Sequence, residues 1–146
     1  MIGPLNHVGI AVPSIEDAAE NYRALYGARD ITKPSEMKDQ GVRFCFVNLP
    51  NSQIELIEPL GDDSPIINFL SRNPNGGQHH ICFEVNDIYK AKKYMEDQGA
   101  KILNEPRAFV LKSFLGLITD LVTVTCPAQW IIRFGLILFS ILDIFL

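Results

Sequence analysis

Cysteine is scarce in this chain of 146 residues. The three cysteines, Cys45, Cys82 and Cys126, are odd in number and widely spaced, and no Cys-x-x-Cys pair occurs. This pattern argues against a disulfide framework and against a thiolate zinc site. We therefore expect the thiols to be small buried groups in a protein of a reducing compartment.

Positive charge is also sparse, since 13 Lys and Arg residues stand against 17 Asp and Glu residues, a net charge of -4. No basic stripe is visible, which argues against nucleic acid as a partner. An anionic ligand would need a local positive site or a metal ion. The first residues show neither a charged segment before an apolar run nor an Arg- and Ser-rich transit pattern, so the expected location is cytoplasmic.

A weak internal repeat with an offset of 73 residues is present. The first copy begins His-Val-Gly-Ile-Ala-Val at His7, and the second begins His-Ile-Cys-Phe-Glu-Val at His80. Each alternation predicts a strand with one apolar face. A helix is predicted after each strand, with Ser14 as the first N-cap and Asn86 or Asp87 as the second.

Further elements are predicted between the two copies. Residues 42–49 and 53–60 are strand candidates separated by a Pro-Asn-Ser turn signal. A short helix ends near Leu70, and a polar, Gly-rich linker at 71–78 separates the halves. The order of elements predicts an α+β fold, in which a βαβββ module is followed by the start of a second one.

Three side chains of these strands are candidates for a metal site. The strand period of two places His7, Glu55 and His80 on the small or polar faces of their strands, opposite the faces that pack on helices. If the two halves pair their sheets, two imidazoles and a carboxylate converge, a donor set that suits a borderline or hard divalent ion. Spacing alone leaves open the alternative that the histidines are structural residues.

Three stretches carry a family resemblance: residues 6–13 (Asn-His-Val-Gly-Ile-Ala-Val-Pro), 54–61 (Ile-Glu-Leu-Ile-Glu-Pro-Leu-Gly) and 76–85 (Gly-Gly-Gln-His-His-Ile-Cys-Phe-Glu-Val). They resemble the opening strand, the fourth strand with its turn, and the start of the second module in methylmalonyl-CoA epimerases. These enzymes belong to the vicinal-oxygen-chelate superfamily, which also holds glyoxalase I. The likeness covers residues 3–107, and the Glu-Pro-Leu-Gly turn with the His-His pair indicates the epimerase branch.

The resemblance implies paired βαβββ modules that form a curled sheet around a metal cleft, often in a homodimer. It implies that His7, Glu55 and His80 bind a divalent ion such as cobalt, manganese, nickel or zinc. His79 is expected not to be a ligand, and either packs or orients its neighbour. The implied reaction inverts the α-carbon of an acyl-CoA, methylmalonyl-CoA. The metal would stabilise an enolate, and a carboxylate base would remove the proton.

The resemblance ends near Arg107, so we predict a domain at 1–107 with a first module at 1–70 and the start of a second at 78–107. Residues 108–146 form an atypical hydrophobic tail, in which 25 of the last 38 residues are hydrophobic and neither Glu nor His occurs. Three interpretations remain open: a frame-shifted or alternatively spliced C-terminus, a membrane anchor formed by residues 130–146, or a diverged set of strands.

The tail also affects the expected chemistry. The family's last-strand Glu, which is a metal ligand and a catalytic base, has no counterpart, so the catalytic residue is unknown and the activity is expected to be impaired. Glu58 and Glu84 are conceivable substitutes. Two other functions stay open, a glyoxalase I-like lactoylglutathione lyase and a non-catalytic protein of the same fold that binds a small ligand.

Overall fold

A computed structural model describes residues 3–103, 111–112 and 118–125, the last two stretches by their backbone. The strands are β1 (Leu5–Ala11), β2 (Ser35–Met37), β3 (Val42–Asn48), β4 (Gln53–Pro59), β5 (Gly77–Val85), β6 (Leu111–Lys112) and β7 (Ile118–Thr125). The helices are α1 (Ile15–Tyr26), α2 (Ile67–Arg72) and α3 (Ile88–Asp97), and a one-turn 3₁₀ helix spans Lys38–Gln40. Within these residues the predicted order, β-α-β-β-β and then β-α, is present.

The predicted helix boundaries are present in α1 and α3. Ser14 is the N-cap of α1, where its hydroxyl oxygen accepts a hydrogen bond from the backbone N–H of Asp17 at 3.2 Å. Gly27 ends that helix in the left-handed conformation, with a φ of 68°, which glycine adopts without steric cost. Asp87, not Asn86, caps α3 and accepts from the backbone N–H groups of Tyr89 and Lys90.

The core lies between α1 and one face of the sheet. Ile15 and Ala19 of the helix pack against Cys45, Val47 and Leu56 of β3 and β4, all of them buried. The residues that alternate with these strand positions face the other side of the sheet, where the candidate site lies. Cys82 is buried as well, so two of the thiols occupy the interior positions expected of them, whereas Cys126 lies outside the described residues.

The two halves join through their first strands. The sheet has the order β2-β3-β4-β1-β5-β7-β6, and β1 pairs with β4 in parallel and with β5 in antiparallel orientation. This arrangement confirms the α+β prediction of a curled sheet. It also places β4, β1 and β5, which carry the three candidate ligands, side by side at the centre.

Within the described residues, the strand pairing of the second half differs from that of the first. In the first half, β1 pairs with β4 in parallel. In the second half, β5 pairs with β7 in antiparallel orientation, with His80 opposite Thr125 and Val85 opposite Asp120. The predicted domain boundary at residue 107 stays a prediction. No helix within 3–103 is long and apolar enough to cross a membrane, and the membrane anchor predicted at 130–146 lies outside the described residues.

An ion-pair network fixes the start of α1 to the sheet. Glu58 is buried, and one carboxylate oxygen accepts a hydrogen bond from the backbone N–H of Ile15 at 2.6 Å. The other oxygen pairs with the guanidinium of Arg43, which also reaches Glu16 at 2.8 Å. Glu58 therefore lies on the helix side of the sheet, and its oxygens are already engaged there.

Replacing Glu58 with alanine is expected to lower the free energy of unfolding by about 1–3 kcal/mol, because the Ile15 N–H and the Arg43 guanidinium lose their shared acceptor. Urea denaturation measures the change. Glu58→Gln, which keeps an oxygen for Ile15, is the matched control and should cost less. Equal stability of the alanine variant and the original chain would contradict this role.

Candidate metal centre

The pairing of β1 with β5 contains two β-bulges. Gly9 lies opposite His80 but Ile10 lies opposite Gln78, so His79 is an extra residue on β5. His7 lies opposite Cys82 but Leu5 lies opposite Phe83, so Asn6 is an extra residue on β1. Each candidate histidine thus follows a bulged residue, and a bulge changes the direction of the side chains around it.

The structure brings the three predicted side chains together. The Nε2 atoms of His7 and His80 are 3.1 Å apart. The Oε2 atom of Glu55 lies 3.4 Å from the Nε2 atom of His7 and 3.2 Å from that of His80. The side chains are 6%, 12% and 10% exposed for His7, Glu55 and His80, so the cluster is largely shielded from water.

These distances fit a single divalent ion. Metal–ligand bonds of about 2.0–2.2 Å place neighbouring ligand atoms about 2.8–3.6 Å apart in octahedral or tetrahedral geometry. The three separations of 3.1–3.4 Å fall within that range. Two imidazole nitrogens and one carboxylate oxygen are also the donor types that such ions take. His7, Glu55 and His80 therefore form a donor set that could hold a metal.

The electrostatics of the cluster favour a bound cation. Burial alone would raise the pKa of the Glu55 carboxyl, but hydrogen bonds with His7 and His80 outweigh burial and lower this pKa to about 2. Glu55 is therefore ionised at neutral pH. A buried carboxylate needs a compensating positive charge, and among the described residues Glu55 pairs with two imidazoles, which are weak bases.

Stability in the absence of metal should depend on pH through Glu55. Its pKa in the folded chain lies below the ordinary 4.5, so its ionised form stabilises the fold above about pH 4.5. As the pH falls from about 4.5 to 2, about 3 kcal/mol of this contribution is lost. Urea denaturation in a chelator across this range measures the loss, and Glu55→Gln should show a flatter profile. Identical profiles would contradict the pKa shift.

Gly9 lies next to the imidazole ring of His80. It lies directly opposite His80 across the β1–β5 pair, and a Cβ atom at Gly9 would overlap the His80 ring. The absence of a side chain at Gly9 is therefore what lets the imidazole lie flat across β1 and reach Glu55. The glycine of the His-Val-Gly-Ile-Ala-Val strand thus has a steric role in the site.

Gly9→Ala is expected to push the His80 ring away from Glu55 and to weaken metal binding, and overpacking of this kind typically costs about 1–3 kcal/mol of stability. Isothermal titration with Co²⁺ and urea denaturation measure the two effects. Gly77→Ala is a control for substitution of a strand glycine, because the φ of Gly77 is not positive and a Cβ there would meet only the Phe69 ring, at 3.7 Å or more, an ordinary van der Waals distance. Unchanged Co²⁺ affinity in Gly9→Ala would contradict the steric role.

Both histidines have a hydrogen-bond partner on the ring nitrogen that faces away from the cluster. The Nδ1 atom of His7 is 2.9 Å from the Oδ1 atom of Asn6, and the Nδ1 atoms of His80 and His79 are 3.0 Å apart. His79 also packs edge-on against Phe69, with ring centroids 5.3 Å apart. Burial lowers the pKa of His79, and the neighbouring His80 lowers it further, which favours a neutral ring.

An aromatic wall closes one side of the cluster. Phe46 of β3 lies opposite Glu55 in the sheet and contacts the His7 ring edge-on, with centroids 5.8 Å apart. Phe44 packs against Phe46 in turn at 5.7 Å. An apolar wall of this kind limits solvent access and lowers the local dielectric constant, which strengthens electrostatic interactions in the site.

Neither carboxylate considered as a substitute base is part of the cluster. Glu58 lies on the helix side of the sheet, where Ile15 and Arg43 occupy its oxygens. Glu84 accepts a hydrogen bond from the Nδ2 atom of Asn6 at 3.1 Å and so reaches His7 only through that amide. Sequence reasoning missed Asn6, although its position before the first histidine, matching that of His79 before the second, was a usable signal.

The fold and this site define a class of protein. The family model of the Glyoxalase/Bleomycin resistance protein/Dioxygenase superfamily matches residues 6–111, so the chain belongs to that superfamily. The Ethylmalonyl-CoA/methylmalonyl-CoA epimerase of Cereibacter sphaeroides is 50% identical over 109 residues, 73% of this chain and 81% of the relative. Within the superfamily, the chain belongs to the methylmalonyl-CoA epimerase family, as the resemblance predicted.

Other similar proteins support this assignment. The mitochondrial Methylmalonyl-CoA epimerase of Homo sapiens is 44% identical over 104 residues, 71% of this chain but only 58% of the relative. The chain thus spans less than two thirds of the length of that mitochondrial protein. A variant of the Streptomyces coelicolor methylmalonyl-CoA epimerase, solved with 2-nitronate-propionyl-CoA, matches with a TM-score of 0.71 at 27% identity, over 89% of this chain and 91% of that one.

Proposed function

We propose that this chain inverts the configuration at the α-carbon of methylmalonyl-CoA, with a divalent metal ion held by His7, Glu55 and His80. The observation that carries the proposal is the convergence of three ligand atoms within 3.1–3.4 Å in a protein of the methylmalonyl-CoA epimerase family. A metal ion there would supply a Lewis acid that polarises the thioester carbonyl and makes the neighbouring α-proton easier to remove.

The chain's own residues prepare this site in three ways. His7 and His80 present imidazole nitrogens, and Glu55 presents the negative charge that a divalent ion requires. Phe46 and the buried strands limit water around the cluster, which strengthens its electrostatic interactions. Gly9 leaves room for the imidazole of His80. Together these features hold the three ligand atoms in place before any substrate binds.

The proposed activity is impaired, because the described residues offer no carboxylate in the cluster other than Glu55. In β7, Thr125 is the residue opposite His80, and Asp120 lies opposite Val85, five positions further along β5. No Glu or His follows residue 108 in the sequence. If proton transfer relies on water or on a more distant group, it is slower than transfer to a positioned side chain.

The two alternative functions have less support. A lactoylglutathione lyase would use the same superfamily fold, but the curated relatives from Cereibacter sphaeroides and Homo sapiens, at 50% and 44% identity, are named as epimerases. A non-catalytic binding protein would have no need for two imidazoles and a carboxylate within bonding distance of one ion. We further propose a homodimer in the cytoplasm, which gel filtration with light scattering and cell fractionation would test.

The experiment is solvent exchange at the α-carbon. Methylmalonyl-CoA is incubated in deuterated water with the chain and Co²⁺, and incorporation of deuterium is followed by mass spectrometry. We expect exchange above the background rate that is lost in a chelator and in the His80→Ala variant. Exchange no faster than in a protein-free control containing Co²⁺ would refute the proposed activity. Exchange that persists in His80→Ala would refute the proposed site.

A further inference from the structure

Each of the two candidate metal-binding histidines is preceded by a bulged residue whose side chain contacts it. Asn6 precedes His7 and His79 precedes His80, and the two bulged residues are separated by the same 73 positions as the two histidines. Each bulge lets two consecutive side chains lie near the same site, which regular strand alternation forbids. Both halves of the repeat therefore have a bulged residue before the histidine. Its side chain is an amide in the first half and an imidazole in the second.

In the first half, a chain of hydrogen bonds determines which nitrogen of His7 carries the proton. The Glu84 carboxylate can only accept, so the Asn6 group 3.1 Å from it is the NH₂ group. The amide oxygen of Asn6 must then face the Nδ1 atom of His7, at 2.9 Å. Because that oxygen can only accept, Nδ1 carries a hydrogen, and Nε2, which faces Glu55 and His80, is left as the nitrogen that can give a lone pair to a metal ion.

In the second half, His79 has the corresponding position. The Nδ1 atoms of His79 and His80 are 3.0 Å apart, so one donates and the other accepts. Because the Nε2 atom of His80 faces Glu55 at 3.2 Å and must supply a lone pair to a metal, its hydrogen belongs on Nδ1 and His79 accepts it. Packing on Phe69 at 5.3 Å holds the His79 ring in this orientation.

We propose that Asn6 and His79 are paired positioning residues that hold His7 and His80 in the tautomer required for metal binding, and that Glu84 orients Asn6. This inference rests on the metal site proposed above. Partners of this kind fix the ring orientation of metal-bound histidines, and their removal typically lowers metal affinity about 10–100-fold. None of the three residues contacts the metal in this scheme.

Two substitutions at His79 separate orientation from packing. His79→Phe keeps an aromatic ring against Phe69 but has no acceptor. His79→Asn introduces the residue type of the first half and restores an acceptor near the Nδ1 position. We expect His79→Phe to weaken Co²⁺ binding about 10–100-fold, and His79→Asn to retain most of the affinity, as measured by competition with a chelator. Equal affinities in the two variants would overturn the positioning role of His79.

At Asn6, the matched pair is Asn6→Leu, which removes the acceptor at similar size, and Asn6→Asp combined with Glu84→Gln. The double variant keeps an oxygen for His7 and reverses the direction of the bond between positions 6 and 84. Asn6→Leu should lose about 10–100-fold in Co²⁺ affinity, and the double variant should recover most of it. A double variant as weak as Asn6→Leu would overturn the relay from Glu84.

A readout that needs no metal completes the test. Nitrogen chemical shifts of ¹⁵N-labelled histidines in the metal-free chain report which ring nitrogen carries the proton. We expect His7 to be protonated at Nδ1 in the original chain and to populate the other tautomer in Asn6→Leu. An unchanged tautomer would overturn the inference. If the original chain binds no Co²⁺, the proposed metal site fails, whereas the tautomer result still decides the role of Asn6.

Discussion

Replacing His80 with alanine is expected to lower the affinity of the chain for Co²⁺ by more than about 100-fold, which is more than the loss of a partner outside the ligand set typically costs. In the proposed site His80 supplies one of the three ligand atoms found among the described residues, and its Nε2 atom lies within 3.2 Å of both other donors. The two remaining groups would leave the ion bound mainly by water. Isothermal titration of the chelator-treated protein with Co²⁺ measures the change.

Two controls make this result specific. Glu55→Gln keeps an oxygen in place and should bind more weakly than the original chain but more tightly than Glu55→Ala, because only the charge is lost. Glu16→Gln alters an exposed carboxylate that pairs with Arg43, outside the cluster, and should leave the affinity unchanged. An affinity in His80→Ala equal to that of the original chain would place the metal elsewhere.

The second prediction with a large effect concerns the rate of the proposed reaction. We expect exchange of the α-proton of methylmalonyl-CoA to be about 10²–10⁴-fold slower on this chain than on the relative from Cereibacter sphaeroides, since a positioned general base contributes about that factor. The resemblance implies that family members use a last-strand Glu for this step. Here Thr125 lies opposite His80, and Glu58 is engaged by Ile15 and Arg43.

The comparison requires both proteins to be saturated with Co²⁺ and with substrate, so that only the chemical step differs. Deuterium incorporation measured over time gives the two rates. Loss of the residual exchange in His80→Ala would assign it to the proposed site. Exchange on this chain as fast as on the relative would contradict the impairment and would require a base that the described residues do not reveal.

The convergence of three side chains could be predicted because it depends on regular features. Strand alternation assigns a face to His7, Glu55 and His80, and the repeat makes the two histidines equivalent. Pairing of β1 with β5 is then enough to bring them together, because equivalent positions of two paired strands meet at the centre of the sheet. The cap at Ser14 could also be predicted, since it depends on neighbouring residues, whereas the cap of α3 was narrowed only to Asn86 or Asp87.

The irregular features could not be predicted. A β-bulge depends on the register between two strands distant in sequence, so the matching positions of Asn6 and His79 in the repeat indicate that they are equivalent but not that each is an extra residue. Strand alternation alone places His79 on the opposite face of β5 from His80, whereas the bulge brings the two rings together. The antiparallel pairing of β5 with β7 also departs from the repeat, because the sequence of β7 differs from that of β4 and the pairing depends on tertiary contacts.

Two imidazoles and one carboxylate are proposed to bind a single ion. X-ray absorption on the chain loaded with Zn²⁺ tests this proposal most directly, together with metal analysis. We predict one ion per chain, bound by two imidazole nitrogens and oxygen ligands at about 2.0–2.2 Å. Absence of a stoichiometric ion, or a sulfur ligand at about 2.3 Å, would contradict the site formed by His7, Glu55 and His80.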